Sequence, residues 1–103
     1  MQQYEVRLEE AYLAELGGLI DWRAENVGRL SASNFNKSVT DLVMMLRDTP
    51  FMGFSAKNKK LARKGYRTLV CGVYLIFYIV NDSTVNVRRI VDGRTDYINK
   101  GEW

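Results

Sequence analysis

GYRTLVCGVYLIFYIVNDSTVNVRRIVDGRTD, residues 65–96, is the stretch whose reading decides the fold. It reads as three short strands joined by two tight turns. Cys71-Gly72 separates the first pair and Asn81-Asp82-Ser83 the second. Between the turns lies YLIFYIV, Tyr74 to Val80, where aromatic and β-branched residues dominate as they do in strands. That run is apolar on both alternating faces, so both sides of the strand are expected to be covered. One cover should be the chain's own helices. The other side is left open to a partner. In the last strand, Thr84 to Val91, strict alternation places Val85, Val87 and Val91 with Arg89, and Asn86, Arg88 and Ile90 opposite.

Upstream, Gln3 to Leu8 alternates as QYEVRL and predicts a half-buried strand. Glu9 to Glu25 predicts a helix on a stripe of Leu13, Leu16 and Ile20, widened by Tyr12 and Leu19. Gly17-Gly18 interrupts it, so the helix either bends there or lets another element approach closely. Ser31 to Arg47 predicts a second helix. Ser31 or Ser33 would cap it, Phe35, Val39, Leu42, Val43 and Leu46 would form its stripe, and Thr49-Pro50 would stop it. Phe51 to Lys64 is a connection, with Phe51, Met52 and Phe54 as candidate core anchors and a helical turn at Asn58 to Arg63. The tail, Arg94 to Trp103, would add an edge strand or lie across the sheet. The order is β-α-α-β-β-β. The expected class is α+β, an antiparallel-rich sheet with an N-terminal helical hairpin packed on one face, in one domain spanning residues 1–103.

Composition narrows the function classes. Hydrophobic residues make up 47 % of the 103 and charged residues 26 %, as in ordinary folded proteins. No apolar run reaches the ~18 residues of a membrane helix, and no signal-peptide pattern opens the chain. A cytoplasmic protein without a membrane partner is the expectation. The one cysteine, Cys71, reads as a small core or turn residue. With no histidine and no ligand spacing among the carboxylates, no metal or other cofactor is expected. Charge is divided by halves: residues 1–50 carry a net −3 and residues 51–103 a net +6. Lys57, Lys59, Lys60, Arg63, Lys64 and Arg67 follow one another with no acid among them. Such a run is either a solvated face or a surface for an anionic partner, nucleic acid or an acidic protein segment.

The combination of Arg67 opening the first hairpin strand, the aromatic-aliphatic Tyr74 to Val80, and R-I-x-x-G-R-x-D at Arg89, Ile90, Gly93, Arg94 and Asp96 resembles the RelE/ParE superfamily of bacterial toxins. The resemblance covers nearly the whole chain, with its specific motifs in the last forty residues. It implies the toxin half of a type II toxin–antitoxin pair, neutralised by a cognate antitoxin. It also implies one of two targets, mRNA on the ribosome or DNA gyrase. Fold does not choose between them.

As an mRNA endonuclease the chain would need a base, an acid and cations on the phosphate. The candidates are Arg67 and Arg94 as phosphate clamps and Tyr97 as the acid. Lys57, Lys59, Lys60, Arg63, Lys64 and Arg89 would hold nucleic acid or another target, and Tyr74 and Tyr78 would meet the antitoxin. Nuclease members of the superfamily carry an arginine where this chain has Leu75, so the local pattern is more ParE-like. Each of these residues also has a structural reading: the tyrosines as core, the arginines as bridges to nearby carboxylates. The alternative function is a non-catalytic module of the same fold that binds nucleic acid or protein.

Overall fold

The computed structural model describes residues 2–103. A five-stranded sheet runs in the order β1-β5-β4-β3-β2, with β1 Glu5–Leu8, β2 Phe54–Ser55, β3 Tyr66–Cys71, β4 Tyr74–Asn81 and β5 Thr84–Asp92. Only β1 pairs in parallel, beside β5, and the other neighbours are antiparallel. The helices α1 Glu10–Asn26 and α2 Arg29–Met44 form a hairpin on one face, and α2 ends in a 3-10 turn at Met45–Arg47. This is the expected α+β architecture. Two elements add to the expected order: the two-residue β2, and the short helix α3 at Lys59–Arg63, where a helical turn was predicted.

The main core lies between the hairpin and the sheet. Tyr12 and Leu16 of α1, and Val39 and Val43 of α2 with Leu46, pack against Leu69, Ile76, Tyr78, Val85, Val87 and Ile90. Burial pushes the Tyr12 hydroxyl up to about 12, because the phenolate would lose its hydration there. The α1 stripe is rotated from the expected one. Tyr12 takes the buried place and Leu13 stays 48 % exposed. Nor does a serine cap α2. The helix starts at Arg29 on Gly28, whose carbonyl accepts from Ala32 N–H, and Ser31 instead accepts weakly from Arg23.

Gly17 and Gly18 have no internal purpose in packing. Among the described residues nothing comes within 4 Å of where their Cβ atoms would sit. Gly17→Ala or Gly18→Ala is therefore expected to raise stability by about 0.5–1 kcal/mol, read as a higher urea midpoint with an unchanged slope.

β5 departs from strict alternation. Phe77 faces Arg89 and Tyr78 faces Val87, which leaves Arg88 as the extra residue of a bulge. One inserted residue inverts the phase of everything beyond it. Ile90 therefore joins Val85 and Val87 in the helix-side core, while Val91 joins Phe77 on the opposite face. The expected grouping of Val91 with Val85 and Val87 is corrected by that insertion.

The second face is covered by the chain itself. Phe77, Tyr66 and Val91 pack with Leu61 of α3 and Ala56, under Tyr97, Ile98 and Trp103 of the tail. The tail thus lies across the sheet, the second of the two predicted placements. Its rings interlock: Trp103 stands edge-on to Phe77 with centroids 4.9 Å apart and to Tyr66 at 5.5 Å.

Candidate functional site

The basic run organises around α3. Asn58 caps the helix, its Oδ1 accepting the Leu61 N–H at 3.2 Å. The helix is thereby held with Lys59, Lys60, Arg63 and Lys64 exposed to solvent. Lys57, just before the cap, places its ammonium 5.9 Å from the Phe54 ring, and Lys64 donates to the main-chain oxygen of Trp103. Phe51 and Phe54 are not core anchors: they are 57 % and 43 % exposed, and only Met52 of that segment packs against the core. The result is one basic surface around α3 with the Phe54 ring beside it, while Phe51 lies by Arg67.

Between this surface and the tail lies a half-open slot of about 300 Å³. Phe54, Phe77 and Tyr97 line it with Lys57, Asn58 and Thr68. Phe54 and Thr68 face each other across the β2–β3 pair, which puts an exposed ring beside a buried threonine. Sequence reading missed this slot. In the sequence Phe54 stands only as a candidate core anchor, and nothing local marks Thr68 or Asn58 as its neighbours.

The three residues proposed for catalysis do not converge. Arg67 faces Tyr78 in the β3–β4 register, so it shares the helix-side face. Its guanidinium donates to the carbonyls of Phe51 and Gly53 and lies 5.4 Å from the Phe51 ring, tying down the segment before β2. Tyr97 is on the opposite face, with its ring 5.6 Å from that of Phe77. Arg94 is exposed beyond the end of β5. It donates to both carboxylate oxygens of Asp92 at 3.0 and 2.8 Å. Hydrogen bonds from the Arg94 side chain and N–H hold the Asp92 carboxyl down to about 2.

Arg89 is 8 % exposed and is not available to a target, contrary to its expected role. It donates to Glu15 of α1 from Nη2 at 2.6 Å and from Nε at 2.9 Å, to the Lys100 carbonyl at 2.8 Å, and lies 4.5 Å from the Trp103 ring. The Glu15 hydrogen bonds push its already high pKa further up, so it stays charged. Gly101 makes the close approach feasible. Its φ of +76° strains any side chain, and a Cβ there would sit 2.8 Å from Arg89 Nη1 and push the guanidinium aside. α1, β5 and the tail are thus joined at one guanidinium. The sequence carried no signal for Glu15 as the partner.

Of the two tyrosines expected to meet an antitoxin, Tyr78 is 0 % exposed, and its hydroxyl accepts the Gly53 N–H at 3.0 Å. Burial between sheet and hairpin removes it from any docking surface. Tyr74 is half-buried, its ring 5.2 Å from Phe35, at the wall of an open groove of about 710 Å³ between α2 and the β3–β4 turn. Among the described residues no three His, Cys, Asp or Glu side chains gather as metal ligands would. No helix among them is long and apolar enough to cross a membrane.

The family model described as the ParE toxin of the type II toxin–antitoxin system parDE matches residues 6–97, nearly the whole chain. The chain belongs to the ParE toxin family. The RelE/ParE resemblance of its last forty residues is thereby established. Two solved structures share the toxin's fold. A chain of the chromosomal ParDE system from P. aeruginosa superposes with a TM-score of 0.71 at 16 % identity, over 85 % of this chain and 94 % of that one. A chain of the RelBE2 toxin–antitoxin complex from Mycobacterium tuberculosis gives a TM-score of 0.61 at 22 % identity, over 89 % and 93 %. Among curated proteins none matches.

Proposed function

We propose that this chain is a cytoplasmic growth-arresting toxin, neutralised by a cognate antitoxin, that acts by binding DNA gyrase rather than by cutting mRNA. One observation carries the choice of target. The groups a ribonuclease would need are held apart, with Arg67 and Tyr97 on opposite faces of the sheet. Arg67 is further committed to main-chain carbonyls and Arg94 to Asp92. General acid–base catalysis requires its groups within hydrogen-bond reach of one reacting phosphate. Of the two targets the resemblance implies, gyrase is the one that asks only for a binding surface.

The test is a time course after induced expression in bacterial cells, following protein synthesis and chromosomal breaks in parallel. Breaks and filamentation before any fall in synthesis are expected, and Arg94→Ala is expected to leave growth arrest intact. Synthesis collapsing within minutes over intact DNA would replace the gyrase reading with mRNA cleavage. Undisturbed growth would remove the toxic activity itself. The antitoxin is tested separately, by co-purification with the product of the neighbouring gene.

A further inference from the structure

The geometry points to the slot between Phe54 and Tyr97 as a binding site for a single unpaired nucleobase, with the adjoining phosphates of a single strand running over Lys57 and α3. This goes beyond the choice of target and stands independently of it. Three features converge on that ligand.

The first is charge. Six cations occupy residues 57–67 with no acid among them, and five of the six are exposed. Arg67 is the sixth, and its contacts are internal. A surface of this kind tracks a polyanion.

The second is aromatic exposure. Phe54 keeps 43 % of its surface in water, whereas the sheet aromatics Tyr66, Phe77 and Tyr78 are buried. An exposed ring beside cations is the arrangement on which bases stack, with phosphates held alongside.

The third is the slot itself. Its volume of about 300 Å³ sits at the small end of ligand pockets, and Lys57 and Asn58, the latter through the amide nitrogen that its capping Oδ1 leaves over, bring donors to a lining that is otherwise mostly apolar. A flat base offers hydrogen-bonding edges to such groups while its face meets the rings. An aliphatic peptide side chain filling the same space would cover those polar groups and offer no partner in return. That contrast favours a nucleobase over a segment of acidic protein.

The chemistry is shared by DNA and RNA, and the experiment separates them. The full-length chain is titrated into fluorescein-labelled dT12 and rU12, and into a duplex of equal length, with anisotropy as the readout. A central 2-aminopurine in the single strands reports stacking by quenching. Expected are tighter binding of a single strand than of duplex, and quenching on binding. Phe54→Ala should weaken binding about tenfold and abolish the quenching, and Phe54→Tyr should restore both. Lys57→Ala should reduce the slope of log affinity against log salt by about 0.7. Preference for dT12 names DNA as the source and preference for rU12 names RNA, and either supports the slot. Equal binding of duplex and single strand, unchanged affinity or quenching in Phe54→Ala, or displacement by poly-glutamate as effective as by unlabelled oligonucleotide would each overturn it.

Discussion

Arg89→Ala is expected to lower the unfolding free energy by about 3 kcal/mol, the low end for breaking a buried ion pair by removing one partner. The low end applies because the Glu15 side chain is 26 % exposed and recovers part of its hydration. Two further contacts go with the guanidinium, the hydrogen bond to the Lys100 carbonyl and the stacking on Trp103. For a domain of this size, a 3 kcal/mol loss lowers Tm by roughly 12–20 °C. Near-ultraviolet circular dichroism should lose part of its Trp103 signal at the same time, because the tail is released at its anchor. Arg89→Met paired with Glu15→Leu should recover much of the stability, since replacing both charges leaves neither unpaired. A residue that served only to contact a target would show the opposite pattern, a normal Tm with weakened toxicity. An Arg89→Ala protein with unchanged Tm would therefore return Arg89 to the target surface.

Tyr78→Ala is expected to cost about 3–5 kcal/mol, the usual loss for deleting a buried aromatic ring. That is a large share of the roughly 5–15 kcal/mol that holds a domain folded, so the variant should be substantially unfolded in low urea. Tyr78→Phe isolates the hydroxyl. It leaves the ring in place and orphans the Gly53 N–H, for an expected loss of about 1–2 kcal/mol. Equilibrium urea unfolding measures both. Antitoxin affinity of the Tyr78→Phe protein should equal that of the wild type, because the hydroxyl is enclosed and cannot reach a partner. A drop in affinity without a drop in stability would restore the antitoxin role. Gly53 belongs to the same arrangement: a Cβ there would sit 2.6 Å from both the Thr68 carbonyl and the Tyr78 hydroxyl, so only glycine lets that loop close over the tyrosine.

These two residues show why the fold was more legible than the site. Tyr78 sits in an apolar run and Arg89 in an alternating one, and sequence placed both correctly on strands. Their roles turned on what lay across space. Tyr78 answers an N–H twenty-five residues away, and Arg89 a carboxylate seventy-four residues away. Neither separation leaves a local pattern. The basic run was legible because charge accumulates along the chain. The aromatic slot beside it was not, because it is made only when β2 pairs with β3 and the tail folds back.

By itself the sequence determined the helical hairpin, the three-stranded meander and the kinship with ParE toxins. The hairpin and the meander rest on periodicity and turn residues within a few positions, which backbone geometry converts directly into local structure, and the kinship rests on a resemblance of motifs spread from Arg67 to Asp96. The tertiary structure alone decided that the tail packs across the second face, and that Ile90 and Val91 take opposite sides. It alone put Arg67 and Tyr97 on opposite faces of the sheet and paired Arg94 with Asp92. The bulge at Arg88 and the ion pair at Arg89 are settled by packing against distant elements. A single inserted residue, or one carboxylate arriving from another helix, redirects side chains without altering any local propensity.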